Sequence, residues 1–213
     1  MSDSPQVAII DDDEVKRETM RDEFELADWA VIAYSGPFQR LAELTERVLR
    51  ESNRAVCDHH FFNNYAAFNG AAAVAELYRH RFPAVLVTQY EVAEMVEIRK
   101  YRRCIPVLLT PKEADPDTLA QSWELCRREF DGNFIPTRKP WETLVRITDI
   151  SDDTVYVLLP GWNSDEVIRV PRRILPAKLA PHLQPGEHLF ATVNKGAEDQ
   201  SELFFEKFEY RGN

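Results

Sequence analysis

Between residues 7 and about 131 the chain alternates short apolar runs with segments of helical period, and that alternation leaves few folds open. The apolar runs are 7–10, 30–35 (Ala-Val-Ile-Ala-Tyr-Ser), 54–58 (Arg-Ala-Val-Cys-Asp), 83–88 (Pro-Ala-Val-Leu-Val-Thr) and 105–110 (Ile-Pro-Val-Leu-Leu-Thr). Helical stretches follow at 14–27, 38–52, about 71–81, 91–103 and 116–130. Gly36-Pro37, Asn69-Gly70 and Asp131-Gly132 supply the breaks between elements. Short runs bounded by charge read as buried strands, so the pattern predicts five stacked βα units and an α/β fold with a parallel sheet.

In such sheets ligands bind outside the carboxyl ends of the strands, where the strand order reverses. The first predicted strand ends in Asp11-Asp12-Asp13-Glu14, the third in Asp58, the fourth in Thr88, and the fifth runs into Thr110-Pro111-Lys112. Adjacent carboxylates repel unless they are solvated or hold a cation, and Mg²⁺ with its oxygen preference suits them. A second reading of the same acids is a helix N-terminus, where they would cap free amides and favour the helix dipole. Together, three carboxylates, one hydroxyl and one ammonium have the chemistry of phosphoryl transfer. Two acids hold the metal, a third is the nucleophile, and the hydroxyl and ammonium bind phosphoryl oxygens as charge shifts.

In its order Ile-Ile-Asp-Asp-Asp-Glu, strand-ending Asp, strand-ending Thr and then Lys, the stretch from about 5 to 131 resembles the response-regulator receiver domain. The resemblance implies a flavodoxin-like (βα)5 doubly wound parallel sheet. It assigns Asp11 and Asp12 to the metal-binding pair, Asp58 to the phosphoacceptor and metal site, Thr88 to the switch hydroxyl and Lys112 to the lysine that binds the phosphoryl group. Mg²⁺ is the implied cofactor, a histidine kinase or other signalling protein the implied partner, and no enzyme activity beyond self-phosphorylation and dephosphorylation is implied.

Some positions depart from that pattern. The loop after Asp58 is long, His59 to Gly70, where the family has a short turn with Pro before a Gly. Lys112 is preceded by Pro111 and followed by Glu113, whereas the family has Lys followed by Pro. Leu109 stands where the family has an aromatic residue that swings inward. These departures open the alternative of a pseudo-receiver that keeps the acids but uses the fold only for binding.

The long loop carries Phe61, Phe62, Tyr65 and Phe68, read here as a lid or small extra core rather than a partner-binding patch. His59 and His60 are adjacent and so point apart, which argues against a transition-metal site. Cys57 reads as a buried small apolar residue. A minor alternative is a haloacid-dehalogenase-like phosphatase, because Asp11 to Val15 fits its Asp-x-Asp-x-Val pattern with Asp11 as nucleophile. That family needs a second acid pair, and Asp115 and Asp117 follow Lys112 too closely to serve.

After Gly132 the pattern changes. Residues 132–140 read as a linker, and β patterns follow at 142–149, 154–159, 166–171, 187–194 and 202–210, with a short helical connector at 176–183. The expected organisation is a receiver-like domain over 1–131 and a small all-β barrel of OB or SH3-like type over 141–213. Arg169, Arg172, Arg173 and Lys178, with Tyr156 and Trp162 as stacking platforms, raise nucleic-acid binding. Residues 141–213 nevertheless hold 12 acids against 8 bases, net −4, which opposes a phosphate-tracking groove. A protein partner for the barrel is expected instead.

The whole chain of 213 residues carries a formal charge of −10, which argues against broad binding to nucleic acid or anionic membranes. Three cysteines without disulfide or zinc spacing fit a reducing compartment. The first residues form no signal region and no apolar run reaches membrane-spanning length, so a cytoplasmic protein without membrane association is expected, with a homodimer left open.

Overall fold

The computed structural model describes residues 5–62, 64–89 and 95–210. The chain divides into two compact units, Met1–Tyr90 with Cys104–Asn133, and Glu91–Arg103 with Phe134–Asn213.

In the first unit the elements run β1 (Gln6–Ile10), α1 (Glu14–Leu26), β2 (Ala30–Tyr34), α2 (Leu41–Glu51), β3 (Arg54–Asp58), α3 (Gly70–Arg79) and β4 (Ala84–Val87). After α4 (Met95–Arg99), which clusters with the second unit, come β5 (Leu108–Leu109) and α5 (Pro116–Phe130). All the sheet neighbours are parallel, in the order β2-β1-β3-β4-β5. That is the flavodoxin-like doubly wound order, whose switch point lies between β1 and β3.

Local chemistry explains the helix starts. Asp13 accepts from the amides of Val15 and Lys16, Asn69 from Ala72 and Asp115 from Thr118, with Pro116 opening α5. The helix-start reading of the acidic run therefore holds for Asp13, the residue that caps α1. Strand 105–110 shortens to two residues, for Pro106 has no N–H to give the ladder. Of the predicted helix 91–103, residues 91–94 lie outside the described residues, and the rest is α4 followed by a 3₁₀ turn at Arg102–Cys104.

Alternation along β1 sends Val7 and Ile9 to the layer holding Phe24 of α1 and Leu119 and Trp123 of α5. Trp123 is fully buried, and its indole N–H donates to the Ala55 carbonyl over 3.0 Å. That bond satisfies the one polar atom of the largest side chain in the core.

The second unit is an antiparallel sheet of β6 (Trp141–Ile150), β7 (Thr154–Leu159), β8 (Asn163–Pro171), β9 (His188–Val193) and β10 (Phe205–Glu209). Its order is β10-β9-β6-β7-β8, and no pairing joins the outer strands β8 and β10 among the described residues. Thr143, Val145 and Ile147 alternate inward from β6 onto Val157, Ile168 and Leu189, as a sheet with one buried face requires. The connector 176–183 forms a single 3₁₀ turn at Ala180–His182. The guanidinium of Arg99 on α4 is buried and donates to the carbonyls of Arg169 and Gln200, so α4 packs on β8. Among the described residues no helix is long and apolar enough to cross a membrane.

Candidate functional site

The register of the parallel sheet sets Ile10 beside Cys57, so Asp11 and Asp58 leave neighbouring strands side by side at the switch point. One carboxylate oxygen from each of Asp11, Asp12 and Asp58 lies within 4.8 Å of the others. Asp11 is 3 % exposed, whereas Asp12 and Asp58 are half-buried. Asp12 and Asp58 also line an open cleft of about 510 Å³ together with Asp13, Glu14, Lys16 and Phe62.

Burial pushes the Asp11 carboxyl up to about 6, partly offset by the Asp13 amide that donates to it over 2.8 Å. Burial raises Asp58 too, opposed by the Lys16 ammonium and by the His59 amide. The two oxygens of Asp58 are used differently. Oδ1 accepts the His59 N–H at 2.8 Å, and Oδ2 faces Lys16 Nζ at 3.8 Å. A divalent cation suits this donor set, since three hard oxygens converge and burial makes their charge costly without one.

Asp58 lies beside Val87 in the ladder, so Thr88 is one step beyond it, just past the end of β4. Its hydroxyl is buried and has no hydrogen-bond partner among the described residues, an unusual state for a buried polar atom. Lys112 is exposed in the turn after β5. That turn closes on Glu113, whose carboxylate accepts from both the amide and the hydroxyl of Thr110 at 2.7 Å.

The aromatic loop packs as a small extra core. Phe61 lies 5.0 Å from Tyr65 and 6.2 Å from Phe68, and Tyr65 lies 5.7 Å from Phe38, between ring centroids. Tyr65 donates its hydroxyl to the Tyr34 carbonyl over 2.6 Å, and backbone bonds join Phe38 to Tyr65 and Ala67. Phe62 stands apart, 65 % exposed and stacked against His60, while its amide donates to Asp12 Oδ2. Asn64 is exposed and Asn69 caps α3, whereas Asn63 lies outside the described residues. His59 is buried, and no metal-binding group among the described residues includes it or His60. Cys57 is buried beside the site with its thiol pushed well up by burial.

Sequence reasoning had not singled out Lys16 or the Phe62 amide. A lysine two residues past the acidic run on a helix was the available signal for the first. Asp115 is engaged as the cap of α5, and Leu109 sits half-buried in β5. In the second unit Arg172 donates to the Ala180 carbonyl, Arg173 pairs with Glu97, and the Trp162 indole donates to the Ala197 carbonyl.

No protein-family model matches the chain, and no curated protein matches it. Solved structures similar to it include the signal receiver domain of an HD domain-containing protein from Pseudomonas fluorescens Pf-5, at 12 % identity over 62 % of this chain and 95 % of that one, with a TM-score of 0.48. A response regulator receiver domain protein from Methanospirillum hungatei JF-1 is similar at 15 % identity over 61 % and 99 %, TM-score 0.46. A response regulator protein from Burkholderia pseudomallei, solved with a phosphorylated aspartic acid, calcium ion and citrate, is similar at 20 % identity over 61 % and 72 %, TM-score 0.45.

Proposed function

We propose that the chain is a response regulator of two-component type, with a receiver-like module over residues 1–131 that takes a phosphoryl group on Asp58 and a β module over 141–213 that contacts a protein partner. The observation that carries this reading is the convergence of Asp11, Asp12 and Asp58 within 4.8 Å at the switch point of a doubly wound sheet. The buried, unpartnered hydroxyl of Thr88 one step further along adds to it.

In the proposed step, Asp58 Oδ2 attacks the phosphorus of a phosphohistidine on a histidine kinase. A P–O bond forms, the P–N bond breaks, and its electron pair returns to the imidazole. Asp11 and Asp12 would hold Mg²⁺ with Asp58, and the ion would offset phosphoryl charge. Thr88 donates its hydroxyl to a phosphoryl oxygen, and a lysine supplies an ammonium, a role for which chain order offers Lys112. The site is cytoplasmic in this reading, where kinase and Mg²⁺ are both present.

A second reading is favoured by the internal partners of the acids. Lys16 faces Asp58 and the Phe62 amide engages Asp12, so two of the three acids have partners within the chain, as in a pseudo-receiver used for binding alone. Mg²⁺ with beryllium fluoride separates the two. A stable adduct, seen as a bound fluorine resonance and lost in Asp58→Asn, is expected for the phosphoacceptor, and its absence at millimolar Mg²⁺ would leave the pseudo-receiver.

A further inference from the structure

The geometry points to Lys16 of α1, rather than Lys112, as the residue whose ammonium meets the phosphoryl group on Asp58. The inference rests on the phosphoacceptor reading above and names a residue within it.

Asp58 Oδ1 is engaged by the His59 amide at 2.8 Å, which leaves Oδ2 as the oxygen free to attack. Oδ2 is the atom that faces Lys16 Nζ at 3.8 Å. A phosphoryl group added there stands in the cleft that Lys16 lines with Asp12, Asp13, Glu14 and Phe62. Lys112 does not line that cleft. Its turn is closed by Glu113 on the amide and hydroxyl of Thr110, and its own side chain is exposed.

The local sequence accounts for the placement. Asp13 caps α1 by accepting from the amides of Val15 and Lys16, which fixes the first turn against the end of β1. Lys16 therefore leaves the helix beside the acids, half exposed, on a flexible stem that follows a charge as it moves from carboxylate to phosphoryl oxygen. Before transfer the ammonium compensates Asp58. Afterwards it forms a charge-assisted hydrogen bond to the phosphoryl group.

The test is a titration of the full chain with beryllium fluoride at saturating Mg²⁺, followed by fluorine NMR, in wild type, Lys16→Ala, Lys16→Arg and Lys112→Ala. Lys16→Ala is expected to weaken the adduct about tenfold, with Lys16→Arg restoring most of it and Lys112→Ala staying within about twofold of wild type. Reductive methylation of the wild-type lysines, read by mass spectrometry, gives a measurement independent of any variant's folding. Lys16 should become protected in the adduct and Lys112 should not. If the adduct forms but is lost only in Lys112→Ala, with Lys112 protected, the assignment to Lys16 is overturned and the phosphoacceptor reading stands. If wild type forms no adduct, that reading fails and the assignment falls with it.

Discussion

The backbone N–H of Phe62 donates to Asp12 Oδ2 over 3.0 Å, so an acid at the end of β1 holds the loop that follows β3. A cation or phosphoryl group that draws on Asp12 competes with that bond, and the loop is the element that registers the competition. Leu109 offers no polar difference between states. Amide exchange with and without Mg²⁺ and beryllium fluoride should change within 61–70, and Asp12→Asn should speed exchange at Phe62. Changes confined to β4 and β5 would return the signal to the fifth strand.

The pH response of the metal-free protein follows from Asp11. Its carboxyl is pushed up to about 6 from an ordinary 3.8, so the folded state binds the proton more tightly than the unfolded chain. The contribution is complete below the ordinary value and is lost as pH rises through about 6, at a scale of about 3 kcal/mol. Asp58 shifts in the same direction. Melting temperatures between about pH 4.5 and about pH 7.5 should fall with rising pH, and both Asp11→Asn and saturating Mg²⁺ should flatten the fall. A wild-type curve as flat as that of Asp11→Asn would contradict this account.

Gly70 opens α3 against the carbonyl of Asp58, where an added Cβ would stand 1.7 Å from the oxygen. Gly70→Ala must therefore displace the strand end that carries Asp58, and we expect a loss of about 3 kcal/mol in denaturant unfolding. Gly132→Ala is the control, since its φ of +80° is strained but nothing lies within 4 Å, and about 1 kcal/mol is expected there. Equal losses at the two positions would rule out the close approach as the cause.

Asn194 is wholly buried in the second unit, where its amide donates to the carbonyls of Thr137 and Glu202 and its oxygen accepts the Phe204 amide. Asn194→Ala leaves three backbone groups without partners, and a loss of about 3 kcal/mol is expected. Thermal unfolding of the variant decides it, and a change under about 0.5 kcal/mol would mean that water replaces the side chain.

Strand placement was legible because four of the five apolar runs end in charge or a breaker, and the ends of β1 and β3 then named Asp11, Asp12 and Asp58. Asp13 shows why composition alone left two readings: one of the four acids caps a helix while others converge beside it. The direction of Lys16 was not legible, because it depends on how the first turn of α1 sits on β1. Buried polar groups such as Arg99 and Asn194 look like any surface residue in a sequence, since their partners are backbone carbonyls and amides that carry no residue-type signal. The length of β5 was within reach, as Pro106 already denied the ladder an N–H.

The grouping of Glu91–Arg103 with Phe134–Asn213 makes the second unit discontinuous along the gene, interrupted by β5 and α5. No single cut releases it whole. An expression fragment beginning at 134 omits Arg99, leaves the Arg169 and Gln200 carbonyls without their donor, and uncovers the surface of β8 on which α4 packs. Such a fragment encodes an incomplete fold, and domain swapping between homologues would have to exchange both segments to keep it intact.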